Sequence, residues 1–470
     1  MPGSMPAPDT IVAVATPPGR GGVGIVRLSG PQSFPLIRAL FAGTALPRPR
    51  SATYRLLRDE HGQRIDDALL TVFPAPHSYT GEDVVEIATH GSPVVQAWLL
   101  RACVEQGAVL ARAGEFTERA FLNGRLDLTG AEAVRDLIEA QTLGQAQLAA
   151  QQIGGSIAAV IQPVKQSLVR LIATLEAGID FAEDDLETVP QEELRRALHD
   201  VQVPLAALLG TFQHGRLLRD GLRLAIVGEP NVGKSSLFNR LLQHERAIVT
   251  ATPGTTRDVI GERIQLDGIP VELLDTAGLR DTADEAERMG VARSRQTAAD
   301  ADAVLLVLDR SGPGGVAVPD DLRELLTGRP VIQVWNKIDL CGDATTRPAI
   351  APATSSEHLD DPVPWPVVYT SAATGEGLPE LKQAIITLAR GGAEHGVGNG
   401  TIITNLRQQT AVQTAQDHMG KADRATAVST PHEMVLLDLY EALRALDELT
   451  GETTPDDVLH LIFSTFCIGK

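Results

Sequence analysis

Lys234 and Ser235 have the types and spacing of a phosphate-handling pair. They close the run Gly228-Glu-Pro-Asn-Val-Gly233-Lys234-Ser235, a fit to the G-x-x-x-x-G-K-[ST] loop. Glycines let backbone N–H groups of such a loop, with Asn231, Val232 and Ser236 beside them, wrap phosphate oxygens closely. Lys234 supplies a point charge to the terminal phosphates, and the Ser235 hydroxyl is a ligand for Mg²⁺. Downstream, the polar segment Thr250-Ala251-Thr252-Pro253-Gly254-Thr255-Thr256-Arg257-Asp258 lies where a switch loop belongs, with Thr256 as a second Mg²⁺ ligand. Asp275-Thr276-Ala277-Gly278 supplies an acid on the Mg²⁺ side and a glycine N–H that can sense a γ-phosphate. In Asn336-Lys337-Ile338-Asp339 the last carboxylate can accept from guanine N1–H and the 2-amine. Adenine lacks that donor pair, so a buried carboxylate there rejects ATP. Ser371-Ala372 has the place of the loop that covers the guanine carbonyl. The ordered set predicts a GTPase.

The residue after the D-x-x-G element is Leu279, where small Ras-like GTPases place a water-orienting glutamine. An apolar side chain cannot hold a nucleophilic water. Asp281, Asp284, Glu285 and Glu287 follow closely; one of them acts on that water, or they simply form the acidic first turn of a helix. No arginine finger is evident in the chain, and a monovalent cation beside Asn231 could supply the missing charge.

These groups need rigid supports. Residues 223–227 read as a strand entering the phosphate loop, and the chain is helical from 235. Strands over 271–274, 331–335 and 367–369 carry the later elements. Residues 1–124 read as an α/β domain, with strands at 10–16, 23–28, 68–73 and 83–88 and helices at 33–40 and 94–106. The glycine-rich run 17–22 lacks the lysine-serine tail and reads as a tight turn, and the polar groups near Gly81-Glu82-Asp83 and His90-Gly91 read as turn formers. From 125 to 221 the apolar period becomes helical, over 131–151, 157–179 and 192–218, and it returns at 404–418 and 431–449. The expectation is a multidomain chain of α/β and all-α parts. A discontinuous helical bundle, residues 125–221 and 394–470, encloses an inserted Ras-like P-loop domain at 222–393, left through the glycine-rich linker 391–400.

The formal charge of −19 argues against nucleic-acid binding through bulk charge. Arg48, Arg50, Arg55 and Arg58 form a small basic cluster that reads as solvated surface. Cys103, Cys341 and Cys467 are widely spread, give no disulfide or zinc pattern and fit a reducing cytoplasm. No apolar run is long enough to span a bilayer, and the N-terminus lacks the regions of a signal peptide. The tail Phe466-Cys467-Ile468-Gly469-Lys470 fits a prenylation box poorly; composition favours packing for Cys467 over chemistry.

The stretches DTIVAVATPPGRGGVGIVRLSG, YTGEDVVEI, GEFTERAFLNGRLDL, GEPNVGKSS, TPGTTRD, DTAGLR and FCIGK together resemble the MnmE (TrmE) family of tRNA-modification GTPases, and they fall in every domain. The resemblance implies an N-terminal folate-binding domain that dimerises, a helical domain and an inserted G domain. It implies a homodimer working with the FAD-dependent MnmG (GidA) protein in a heterotetramer or larger assembly. Together these would place an aminomethyl-type group on C5 of the wobble uridine of certain tRNAs, with a one-carbon unit from 5-formyltetrahydrofolate or methylenetetrahydrofolate. Carried over by residue, it implies a folate site at Arg27, Glu86, Arg125 and Lys470, with lysine in many relatives where this chain has Arg125. It implies a K⁺ site at Asn231, Thr250, Thr252 and Thr255, a water-orienting Glu287, switch arginines Arg257 and Arg280, and a possible chemical role for Cys467. A GTP-dependent ribosome-assembly switch would carry a similar G domain without a folate pocket.

Overall fold

The structure, a computed structural model, describes residues 9–41, 45–180, 190–245, 261–275, 301–311, 326, 329–341, 365–389, 401–428, 430–454, 459 and 462–469. The chain folds into two compact units. One comprises Met1–Ile138, Ala149–Gln202 and Ala411–Lys470; the other comprises Glu139–Leu148 and Val203–Thr410.

The first unit begins with β1 (Ile11–Val14), β2 (Gly21–Ser29), α1 (Ser33–Leu40), β3 (Thr53–Arg58), β4 (Arg64–Phe73), β5 (Val84–Gly91), α2 (Pro93–Glu105), β6 (Val109–Leu110) and α3 (Glu115–Leu122). The strands form one sheet in the order β3-β4-β5-β2-β1-β6, antiparallel except for β1 with β6. The two-residue period sorts its faces. Val26, Leu28, Val85 and Ile87 point into a core shared with Ile37 of α1 and Leu99 of α2. Arg27 and Glu86 alternate with them and are directly opposed in register, so both fall on the other face. The strand expected at 23–28 begins earlier, at Gly21. Gly91 pairs with Gly21, and a Cβ on Gly91 would come 2.6 Å from Gly21 O, so this close backbone approach needs glycine. The edge strand β3, the short β6 and α3 were not foreseen from the sequence pattern.

Then come α4 (Leu128–Glu139), α5 (Leu143–Ile153), α6 (Ser156–Asp180), α7 (Gln191–Gly210) and α8 (Phe212–Asp220). The single helices expected over 131–151 and 192–218 are each broken. At the first break Thr142 Oγ1 accepts from Gln145 N–H at 3.1 Å, while Gln145 Oε1 accepts from Thr142 N–H at 3.0 Å. This reciprocal T-x-x-Q capping box starts a new helix at Leu143. At the second, the Thr211 hydroxyl donates to Leu208 O at 2.7 Å and accepts from Ile403 N–H at 3.2 Å.

The inserted sheet contains β7 (Leu222–Val227), β8 (Gly261–Leu266), β9 (Ile269–Asp275), β10 (Ala303–Asp309), β11 (Val331–Asn336) and β12 (Val367–Tyr369), with α9 (Lys234–Glu245) and α10 (Leu378–Ala389) described around it. Its order is β12-β11-β10-β7-β9-β8, parallel except for β8 with β9. Central β10 is buried from Ala303 to Leu308, the continuous apolar run expected of a strand covered on both faces. Strand order reverses about β7, so its C-terminal end opens at a topological switch point, where ligands bind in sheets of this kind.

The chain continues into α11 (Leu406–Ala427) and α12 (His432–Thr450). Within the first unit, Gln191 Nε2 donates to Thr426 O at 2.6 Å and Gln202 Nε2 to Met419 O at 3.0 Å. Lys165 of α6 lies 2.5 Å from Asp447 and 2.7 Å from Glu452. Helices from both sides of the insertion therefore build one bundle, as the discontinuous pattern predicts. Among the described residues no helix is long and apolar enough to cross a membrane.

Candidate functional site

The phosphate loop leaves β7 through Gly228 and enters α9 at Lys234. A Cβ on Gly228 would come 2.3 Å from Val307 O, so the loop can lie against β10 only without a side chain there. Gly233 has φ +96°, and its Cβ would come 2.2 Å from Asn336 Nδ2. Asn231, with φ +64°, sits exposed at the turn of the loop. Lys234 Nζ donates to Gly228 O at 2.8 Å and Glu229 O at 2.7 Å, which folds the ammonium over the loop it serves. Ser235 and Ser236 are exposed in the first turn of α9, and Val232 is buried beneath them.

The base-reading elements gather at the ends of β11 and β12. Asn336 is 1% exposed, and its amide spans two loops. Its Nδ2 donates to Val232 O at 2.9 Å, and its Oδ1 accepts from Ala372 N–H at 3.0 Å. Asp339 Oδ1 accepts from Ser371 Oγ at 2.5 Å, and the same hydroxyl oxygen accepts from Thr374 N–H at 3.1 Å. Lys337 has φ +66°, a strained setting for a long side chain. Its Nζ reaches Asp309 Oδ2 at 2.6 Å, and Ser311 donates to Asp309 Oδ1 through both its N–H and its hydroxyl. Burial pushes the Asp309 carboxyl up, but the hydrogen bonds from Lys337 and Ser311 outweigh it and hold it below the usual carboxylate range.

The structure thus brings Val232, Gly233, Lys234, Asn336, Asp339, Ser371 and Ala372 into one connected group. Thr250, Ala251, Thr252, Pro253, Gly254, Thr255, Thr256, Arg257, Thr276, Ala277, Gly278, Arg280 and Glu287 lie outside the described residues, as does the side chain of Asp275. Asp309, Arg240 and Thr370, whose hydroxyl donates to Asn336 Oδ1 at 3.4 Å, escaped the sequence reading. An acid ending an apolar run next to the Asn336 strand was the available signal for Asp309. For Arg240 the sequence carried no signal, since its partners are backbone carbonyls.

A second polar group lies on the other face of the N-terminal sheet, where Phe116 and Tyr79 pack over Ile11 and Ala13. Arg27 Nε and Nη2 both donate to Glu86 Oε1, at 3.0 and 2.8 Å, leaving Oε2 outside the pair. The guanidinium carbon stands 5.7 Å from the Tyr79 ring centroid and 5.8 Å from that of Phe116. Burial raises the Tyr79 phenol, against the opposing pull of Thr117 and Arg27. The C-terminal segment reaches this group: Arg27 Nη1 donates to Gly469 O at 3.5 Å, and Ile468 bridges Ala113. Arg125 lies instead against Gly81, and Lys470 is outside the described residues. Glu82, expected as a turn former, accepts from Ser29 at 2.7 Å and pairs with Arg119 at 3.3 Å. Cys467 is exposed, which overturns its expected packing. Phe466 occupies the buried position, and the chain turns Cys467 outward as it crosses Gly114. The basic cluster is spent locally: Arg50, Arg55 and Arg58 donate to nearby carbonyls.

Comparison with known proteins covers both regions. A family model described as the MnmE helical domain matches residues 128–467, and one described as the GTP-binding protein TrmE N-terminus matches residues 10–125. The tRNA modification GTPase MnmE of Koribacter versatilis is 50% identical over 466 residues, covering 98% of this chain and 99% of the relative. Those of Methylococcus capsulatus and Aquifex aeolicus are 43% and 42% identical, covering 99% and 98% of this chain and 99% and 100% of the relatives. With full-length identity at this level, the chain belongs to the MnmE family of tRNA modification GTPases.

Proposed function

We propose that this GTPase acts as a homodimer with the FAD-dependent MnmG (GidA) protein in the cytoplasm. Its substrate is the wobble uridine of certain tRNAs, to which the assembly adds a carboxymethylaminomethyl or aminomethyl group at C5. We place the domain limits at 1–124, 125–221, 222–393 and 394–470. The observation that carries the modification chemistry is the Arg27–Glu86 pair, set between Tyr79 and Phe116 and met by the chain terminus at Gly469.

These groups fit a reduced pterin. The partly exposed Tyr79 ring suits a flat heterocycle, and a carboxylate matches the adjacent N–H donors of an aminopyrimidinone edge. Arg27 fixes the orientation of the Glu86 carboxylate through two hydrogen bonds to Oε1, while Cys467 stands exposed nearby in sequence to the contacting Gly469. When bound, the folate supplies the one-carbon unit.

At the G domain, Asp339 would accept from guanine N1–H and the 2-amine, and Lys234 would hold the β- and γ-phosphates. Among the described residues the exposed Ser235 hydroxyl and the Asn231 amide offer oxygen donors, which suit Mg²⁺ and K⁺ respectively. Thr256 would complete the Mg²⁺ set, and Thr250, Thr252 and Thr255 the K⁺ set. These ions supply positive charge to the phosphates. Glu287 would orient the attacking water, and Arg280 would act as a switch arginine, as two G domains close face to face. Positioning and charge stabilisation are sufficient for phosphoryl transfer of this kind.

Titration with 5-formyltetrahydrofolate tests the reading. Saturable binding by the wild type, lost in Arg27→Ala and Glu86→Ala, is expected; absence of binding by the wild type overturns it. Incubation with MnmG, a folate, GTP and unmodified tRNA should then yield the modified nucleoside.

A further inference from the structure

The two halves of the nucleotide site are fastened by a residue that belongs to neither motif. Arg240 stands on α9, six positions beyond Lys234 and so on the helix that begins with the phosphate loop. Its Nε donates to Ala372 O at 3.2 Å and its Nη2 to Ala373 O at 2.6 Å. The planar guanidinium therefore spans successive carbonyls of the loop that carries Ser371. Two further bonds tie the same loop: Ala372 N–H to Asn336 Oδ1 at 3.0 Å and Ser371 Oγ to Asp339 Oδ1 at 2.5 Å. Those two depend on residues of the base-reading motif itself. Arg240 joins the loop to the phosphate-side helix by side-chain donation to its backbone.

We propose that Arg240 is a positioning residue for guanine recognition, holding the loop of Ser371, Ala372 and Ala373 at the carbonyl edge of the base and slowing nucleotide release. The proposal rests on reading that loop as the one that meets the guanine carbonyl. A loop ordered before ligand arrives loses less freedom on binding, and such preorganisation acts mainly on the dissociation rate. Loss of two charge-assisted but partly solvated bonds should weaken binding by about five- to tenfold. Lysine retains the charge but not the fork, so Arg240→Lys should recover only part of the effect.

The test compares GTP, 6-thio-GTP and ITP on the full-length wild type, Arg240→Ala and Arg240→Lys by equilibrium titration and stopped-flow release. 6-Thio-GTP keeps both donors that Asp339 reads and replaces only the carbonyl oxygen with a poorer acceptor; ITP lacks only the 2-amine. In Arg240→Ala, GTP should leave faster, the preference for GTP over 6-thio-GTP should shrink, and the preference for GTP over ITP should persist. Thermal stability without nucleotide should hold close to wild type. A wild type indifferent to 6-thio-GTP sinks the reading of the loop. A wild-type preference kept in full by Arg240→Ala, or equal weakening toward all nucleotides with a lowered melting temperature, overturns the role of Arg240.

Discussion

Ser371 donates its hydroxyl to Asp339 Oδ1 at 2.5 Å, so the carboxylate expected to read guanine is already oriented by a residue from the neighbouring strand end. Asp339→Asn should exchange the required donor pattern, because an amide complements the 2-carbonyl of xanthine better than the 2-amine of guanine. GTP affinity should fall roughly 10²-fold or more while xanthosine triphosphate gains. Ser371→Ala should cost much less, about 1 kcal/mol, since it removes one orienting bond and leaves the charge. Competition titrations with the two triphosphates measure both effects.

Gly233→Ala puts a Cβ where Asn336 Nδ2 stands, at a φ that disfavours any side chain. Strain of about 1–2 kcal/mol adds to the displacement of the Asn336 bond to Val232. Binding of a fluorescent GTP analogue should be lost while circular dichroism stays unchanged. Wild-type affinity in this variant would contradict the close approach of the two loops.

GTP turnover should depend on K⁺ and on Glu287. Exchanging K⁺ for Na⁺ should slow hydrolysis sharply at saturating GTP. Glu287→Ala should reduce kcat roughly 10²-fold or more with nucleotide affinity nearly intact, as loss of a water-orienting group implies. Equal rates in the two salts would remove the cation from the mechanism. A fully active Glu287→Ala would move the role to Asp284, Glu285 or solvent.

Lys165 is 8% exposed and lies between Asp447 and Glu452 at the end of α12. Lys165→Met should destabilise the protein by about 1–3 kcal/mol, leaving two carboxylates facing each other without their cation. Its hydrogen bond to Glu452, stronger than the opposing effect of burial, holds that carboxyl below its ordinary value of 4.5. A depressed native value stabilises the fold above the unfolded value, and that contribution disappears as pH falls through the native one. Acid melting of the wild type should therefore steepen below pH 4.5, and Lys165→Met should flatten that limb.

The G domain was legible because its motifs are local: glycine loop, lysine and N-K-x-D each place their chemistry within a few residues at a strand end. The bundle was legible because a helical period interrupted by an insertion can bury its apolar faces only by reuniting both halves. The break at Thr142 was also written locally, as T-x-x-Q, but a continuous apolar period masked it.

Elsewhere the decisive partners are remote. Nothing near Arg27 in sequence announces Glu86 or Gly469; their meeting depends on β2–β5 register and on the path of the terminal segment. Exposure of Cys467 likewise depends on Phe466 taking the buried place. Residue types and spacing determined which chemistry this chain can perform, because that information is carried by short backbone geometry. Which side chains orient those groups was decided only by tertiary structure, because strand pairing and helix packing bring together residues that the sequence separates.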